Sequence, residues 1–364
     1  MNPFHCDESY QNDLQEYTER ILKKYGTSSQ TAEREILYLA EAGNLVAKNE
    51  YAELLFYKKI LRKNPYRDAF HLYLEAAGVT IDTLAQAKDS ESSWRCSGRS
   101  YPLSFWMLGY YLVNYNRESF LKDCETIDAI ENLPLSKRLI LALQMAVSCV
   151  DQIGACGAAI NLIGRILNEV SGDAALFDAV KQTLQTEIAS HDFTAIGVSI
   201  ESCDTLSDCA AASEVFFLAA AEEGYVYACN NLAAKEADRI LQMQQDGASS
   251  EEIASHIETY VNHLKRSADK YEPYAANRLG MFYVEGEVRG SSEVAHFREY
   301  INSPLAKSYF QKATVYPDAN SAWAFLNLIS HFHSDYTRNL ELLDEHMGYI
   351  EQLNPKVYDI AMEI

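Results

Sequence analysis

The chain of 364 residues is short of the residues that interrupt helices, with only 8 Pro and 16 Gly. Proline removes a backbone donor and clashes with the preceding turn, and an interior glycine costs about 1 kcal/mol relative to alanine. A chain poor in both can run largely in uninterrupted helices. It also lacks any apolar run of about 20 residues, the length a bilayer-spanning helix needs. The richest segments, Leu139–Val150 and Ala155–Leu167, are short and broken by polar residues. The opening residues, Met1-Asn2-Pro3-Phe4-His5-Cys6-Asp7-Glu8, lack the basic start and apolar run of a secretory leader. A soluble cytoplasmic protein with no membrane partner is therefore expected.

Positive charge is scarce as well. Against 52 Asp+Glu stand 31 Lys+Arg, a formal net charge of −21. That field keeps a protein in solution and repels phosphate backbones, so nucleic acid is not an expected partner, whereas a basic protein or peptide is favoured. The one basic cluster, Lys58-Lys59-Ile60-Leu61-Arg62-Lys63, ends a predicted helix, where positive charge complements the helix dipole. The eight cysteines, Cys6, Cys96, Cys124, Cys149, Cys156, Cys203, Cys209 and Cys229, form no Cys-x-x-Cys, so neither a zinc ribbon nor a thioredoxin-type motif is suggested. Several stand among apolar residues, as free thiols of a helical core do.

The standard phosphate cradles, Gly-x-x-x-x-Gly-Lys-Ser/Thr and Gly-x-Gly-x-x-Gly after a strand, are missing. His331-Phe332-His333-Ser334-Asp335 places His331 and Asp335 one helical turn apart, but a metal site needs three or four converging ligands and only His346 offers itself from elsewhere. Gly154-Ala155-Cys156-Gly157-Ala158 looks like a nucleophile elbow with cysteine for serine. That motif requires a preceding strand, and the flanks here look like two helix ends, so it reads as a helix–helix turn with a packed cysteine. Neither metal, cofactor nor enzymatic activity is expected.

What the sequence does contain is a repeat. Ala275-Ala276-Asn277-Arg278-Leu279-Gly280-Met281-Phe282-Tyr283 places Ala275, Leu279 and Tyr283 on one helical face, with Gly280 open to a close neighbour. Ala306-Lys307-Ser308-Tyr309-Phe310-Gln311-Lys312-Ala313 supplies a second helix with small and aromatic residues on one stripe. Ala228-Cys229-Asn230-Asn231-Leu232-Ala233 and Ala322-Trp323-Ala324-Phe325-Leu326-Asn327 repeat the first helix, so that Ala228, Ala275 and Ala322 stand 47 residues apart. Upstream, Ala40-Glu41-Ala42-Gly43-Asn44-Leu45-Val46-Ala47 matches Ala221-Glu222-Glu223-Gly224-Tyr225-Val226-Tyr227-Ala228, each with a glycine suited to close one helix before an alanine enters the next. Asp68–Gly78 reads as a second helix with its closing glycine, and Ser104–Tyr111 as a further first helix.

These residues resemble the Sel-like repeats of the tetratricopeptide-like superfamily, which join Ala-x-x-x-Leu-Gly-x-x-Tyr-x-x-Gly to a second helix ending in Lys-Ala-Ala-Glu-x-Gly. The 275–313 unit matches closely and the units near Gly43, Gly78 and Gly224 in part, so the resemblance covers roughly 30–78 and 210–335. It implies an all-α fold, an α-solenoid of antiparallel helix pairs with a concave face lined by first helices. The expected division is N-terminal repeats over 1–114, degenerate repeats or a helical insert over 115–209, and C-terminal repeats with a capping helix over 210–364. Leu135–Ser171 and Asp173–Asp192 read as helices, and Thr194–Ile200 as a helix or an irregular connection. Residues 88–100, Asp246–Glu251 and Gly286–Ser292 read as loops.

The resemblance also implies a function: a scaffold or adaptor that holds a protein or extended peptide in the concave groove. A row of asparagines can grip a peptide backbone, because a carboxamide donates and accepts at once. Tryptophan, arginine and phenylalanine are favoured binding anchors. The expected contacts are Asn49, Trp106, Asn230, Asn231, Asn277, Arg278 and Phe325. The alternative is a regulatory sensor reshaped by a peptide or metabolite, and an enzyme built on the repeat stands last.

Overall fold

The fold is seen in a computed structural model, which describes residues 10–25, 30–57, 65–81, 84, 99–114, 133–200, 202–316, 320–332, 346–348, 350–351 and 354–362. Apart from one short hairpin, the regular structure among these residues is helical. The chain divides into two compact units, Met1–Glu223 and Gly224–Ile364.

In the first unit, α1 (Tyr10–Tyr17) continues through a π-helical turn (Thr18–Leu22) into a last turn at Lys23–Tyr25. There follow α2 (Gln30–Glu41), α3 (Leu45–Phe56), α4 (Pro65–Ala77), α5 (Leu103–Asn114), α6 (Leu135–Ile153), α7 (Gly157–Ser171), α8 (Ala174–Ala189) and α9 (Leu206–Glu222). The main partners are α3 with α4, α5 with α6, and α7 with α9. Thr194–Ile196 is a single 3₁₀ turn. Local chemistry sets the starts. Asn44 caps α3 through the Ala47 N–H at 2.9 Å, and Thr205 and Asp208 form a reciprocal capping box on α9.

In the second unit, α10 (Val226–Gln245) packs on α11 (Ser250–Ala268), and α12 (Pro273–Glu285) on α13 (Ser303–Ala313). Beyond these lie α14 (Ser321–His331) and α15 (Pro355–Met362). Gly286–Ser292, expected as a loop, instead enters an antiparallel hairpin, β1 (Glu287–Arg289) with β2 (Val294–His296), in which Val288 pairs with Ala295. Gly286 sits at a φ of 73°, where a Cβ would come within 2.4 Å of the Phe297 carbonyl oxygen. Its carbonyl accepts the Phe297 N–H at 2.8 Å, which closes the hairpin's base. Strands of three residues are too short to reveal a period of two in sequence.

The interior confirms where the repeat's small residues go. Ala47 in α3, Ser104 in α5, Ala159 in α7, Ala228 in α10, Ala275 in α12 and Ala322 in α14 hold corresponding positions, and all are fully buried. Five residues further on, Gly164 lies under Phe217 of α9, and Gly280 under Phe310 of α13. A Cβ at Gly280 would come within 2.3 Å of the Phe310 ring. Each glycine thus lets an aromatic ring of the paired helix approach the backbone, and burying that ring contributes about 2–3 kcal/mol.

Candidate interaction surface

The asparagines expected to face a peptide are used to join helix pairs. Asn49 has 0% exposure, and its Oδ1 accepts the Ser104 hydroxyl at 2.9 Å, tying α3 to α5. It therefore presents no atom to a partner, which corrects the expectation placed on it. Asn277 is half-buried, and its Oδ1 accepts from Asn327 Nδ2 at 2.9 Å, tying α12 to α14. Asn230, also half-buried, donates at 2.9 Å to the Glu272 carboxylate, which itself caps α12 by accepting the Tyr274 and Ala275 N–H groups. In each case the carboxamide runs from one first helix to the next. Asn231 is half-buried one residue on.

Arg278 and Phe325 are likewise interior. Arg278 is 8% exposed and forms a 2.7 Å ion pair with buried Glu287, the first residue of β1, on which Arg289 also converges at 3.2 Å. The Arg278 guanidinium on this carboxylate anchors the hairpin to α12, and Arg289, within β1 itself, adds a second cation. Desolvation makes such a pair costly unless it is well hydrogen-bonded, so its role is to fix position rather than to add net stability. Burial pushes the nearby Tyr260 hydroxyl above its ordinary pKa. Phe325 is 6% exposed, with its ring edge-on to His346 at 4.7 Å. Both positions point into the core because they stand three residues after the buried alanine. Trp106, two residues after Ser104, is half-buried with its ring edge-on to Tyr110. Of the seven expected contacts, Trp106 in the first unit and Asn230, Asn231 and Asn277 in the second keep some exposed surface.

Sequence reasoning passed over Asn161 and Gly164. Ala159-Ile160-Asn161-Leu162-Ile163-Gly164 carries alanine, asparagine and glycine at the same spacing as Ala275, Asn277 and Gly280. The signal was hidden because Arg165-Ile166-Leu167 follows where Met281-Phe282-Tyr283 stands in the clearest unit. Asn161 is buried, like Asn49.

It also passed over the aromatic side chains that do face solvent. Tyr227 and Tyr274 each precede a buried alanine by one residue, 47 residues apart, and are 47% and 41% exposed. The Asn230–Glu272 hydrogen bond joins the first turns of α10 and α12, the turns on which these two tyrosines stand. Trp323, one residue after Ala322, is 41% exposed. Large half-exposed aromatics at matching positions of successive helices are the residue type that anchors protein interfaces.

The remaining candidates take structural places. His331 stacks on Phe310 with ring centroids 6.3 Å apart and faces Glu285 at 3.7 Å, while Asp335 lies outside the described residues. Among the described residues no three His, Cys, Asp or Glu side chains converge as a metal site would require. The Lys58–Lys63 cluster and Cys6, Cys96 and Cys124 also lie outside them. Cys156 begins α7 directly after the turn that ends α6, with no strand before it. No described helix is long and apolar enough to cross a membrane. No protein-family model matches the chain, and comparison with curated proteins finds no match.

Proposed function

We propose that the helix pairs form Sel-like, tetratricopeptide-like arrays, curved as an α-solenoid, and that the chain acts as a scaffold holding a protein or peptide segment. The observation that carries this reading is the pair Tyr227 and Tyr274. Two tyrosines recur at one register position of adjoining first helices, half in solvent, while the small residues beside them are buried. Asn231 and Trp323, in the same unit, extend the set of anchors, and Trp106 is a separate candidate contact of the first unit. The acidic balance of the chain favours a segment rich in lysine or arginine, whose cations also bind aromatic faces.

A fluorescence-anisotropy screen against a library of short basic peptides tests the reading. The wild-type chain is expected to select a subset, and Tyr227→Ala with Tyr274→Ala to weaken those by about tenfold or more, the scale of an anchor contact. Selected peptides that bind the double variant unchanged would remove the tyrosines from the site. A library with no selected member would count against the scaffold reading itself.

A further inference from the structure

The turn after α11 carries a tyrosine where the repeat carries glycine. Ala268-Asp269-Lys270-Tyr271 stands 47 residues after Ala221-Glu222-Glu223-Gly224, so Tyr271 holds the place of Gly224. Both take the left-handed backbone conformation, Gly224 at a φ of 81° and Tyr271 at 61°. Among the described residues other than glycine, Tyr271 alone has a positive φ. Glycine adopts that conformation freely and tyrosine does not, so a tyrosine kept there points to a use for its side chain.

The ring so placed belongs to an aromatic cluster around a cation. Lys312, in the last turn of α13, sets its Nζ 5.6 Å from the centre of the Tyr271 ring and 5.8 Å from that of Tyr309. The same ammonium donates to Asp269 Oδ1 at 2.8 Å. Tyr316 meets Tyr271 edge-on, with centroids 5.8 Å apart. Tyr283 stacks on Tyr309 at 5.7 Å, 10° from parallel, which holds that ring in place. Tyr271 and Tyr316 are 44% and 62% exposed, so the cluster opens to solvent.

We propose that Tyr271, Tyr309 and Asp269, with Tyr316 at the rim, form a cage for a lysine ammonium group. Lys312 fills the cage until a lysine from a basic segment of a partner takes its place. The occupant shows the class of ligand. Ring faces attract the cation, and the Asp269 carboxylate accepts an N–H that a primary ammonium can give. An exposed lysine–carboxylate pair contributes little to stability, so a side chain of the same kind can displace Lys312. The core need not move, because α13 packs through Ala306, Phe310 and Ala313. The net charge of −21 draws basic segments toward the surface. This inference rests on the reading of the chain as a scaffold for a basic segment. It adds the side chain selected, at a turn three residues before Tyr274.

The test uses the full chain and fluorescein-labelled hexalysine, followed by fluorescence anisotropy at fixed ionic strength. Lys312→Ala empties the cage and should tighten binding roughly fivefold. Lys356→Ala, on α15, makes the same change in net charge and should have much less effect. Equal tightening by the two variants overturns the proposal. Adding Tyr271→Gly, which suits the left-handed backbone, should abolish the gain from Lys312→Ala. A gain that survives in that variant, with wild-type circular dichroism, also overturns it. In wild-type chain carrying ¹⁵N in its lysine side chains, saturating unlabelled hexalysine should move the Lys312 ammonium signal to the position of the free lysines. The signal is identified by its loss in Lys312→Ala. An unmoved signal at saturation refutes displacement. Tyr227→Ala with Tyr274→Ala should leave the ratio between Lys312→Ala and its parent unchanged. A failed ratio thus counts against the cage, and a failed library screen against the scaffold.

Discussion

Gly280→Ala measures how closely the helix pairs are fitted. In an open helix the change would be favourable by about 1 kcal/mol, because alanine restricts the unfolded chain and suits the helix. At position 280 the added methyl meets three Phe310 ring carbons at 2.3, 2.4 and 2.8 Å. The ring has little room to retreat, since it is fully buried, stacked on His331 and edge-on to Phe332. Overpacking of a filled core costs about 1–3 kcal/mol, and a rigid ring places this site at the upper end. The expected net loss is about 2 kcal/mol after the helix gain is set against it. Urea unfolding gives the magnitude, and hydrogen exchange read by mass spectrometry locates it, with faster exchange over α12 and α13. Phe310→Leu, which shortens the opposing side chain, should absorb most of the added methyl, so that Gly280→Ala costs little in that background. Gly172→Ala is the control: its Cβ meets only ordinary contacts at 3.6 and 3.8 Å, and stability should stay within about 0.5 kcal/mol. If Gly280→Ala matched or exceeded wild-type stability, the close fit between α12 and α13 would be refuted.

Tyr271 holds a φ of 61°, in the region glycine favours, at the end of α11, and its ring meets Tyr316 edge-on with Lys312 over its face. Tyr271→Gly should relieve about 1–2 kcal/mol of backbone strain and lose less than that in surface contacts, so thermal unfolding should move upward; a lower midpoint would show that the contacts dominate. Replacing Thr205 by alanine removes the side chain that accepts the Asp208 N–H and should destabilise α9 by about 1 kcal/mol, and unchanged urea unfolding would argue against the cap. His191 links α8 to α6, with Nε2 on Asp151 at 3.1 Å and Nδ1 on the Glu187 carbonyl at 2.7 Å, and the Asp151 hydrogen bond raises its pKa above the ordinary 6.5 despite burial. The protonated form is thus the one the fold favours. Its contribution is complete below about pH 6.5 and disappears as pH rises through the folded value. His191→Gln should flatten the stability profile across that window, and an unaltered profile would refute the link.

Much of this architecture could be read from residue spacing, for a physical reason. Ala228, Ala275 and Ala322 recur at a fixed interval because each occupies a place where only a small side chain fits, so no other residue type substitutes freely. The face those helices present was harder to read. Helical periodicity says that Asn277 and Gly280 share a side, but not whether that side meets solvent or the next helix pair, and here Asn277 meets Asn327. Arg278 looked like an anchor for a partner because its buried counter-ion, Glu287, stands beyond a glycine in a segment too short to read as a strand. Tyr227 and Tyr274 carried the same interval as the alanines, but aromatic residues are common in cores, and exposure is not written in spacing.

Asparagines join successive helix pairs, Asn277 to Asn327 among them. A double-mutant cycle on Asn277 and Asn327, each changed to alanine singly and together and followed by urea unfolding, tests it. Their 2.9 Å carboxamide hydrogen bond predicts a coupling energy of about 1 kcal/mol, with the double variant less destabilised than the two single losses combined. Strictly additive losses, with no coupling, would contradict the claim and return Asn277 to the surface as a candidate contact.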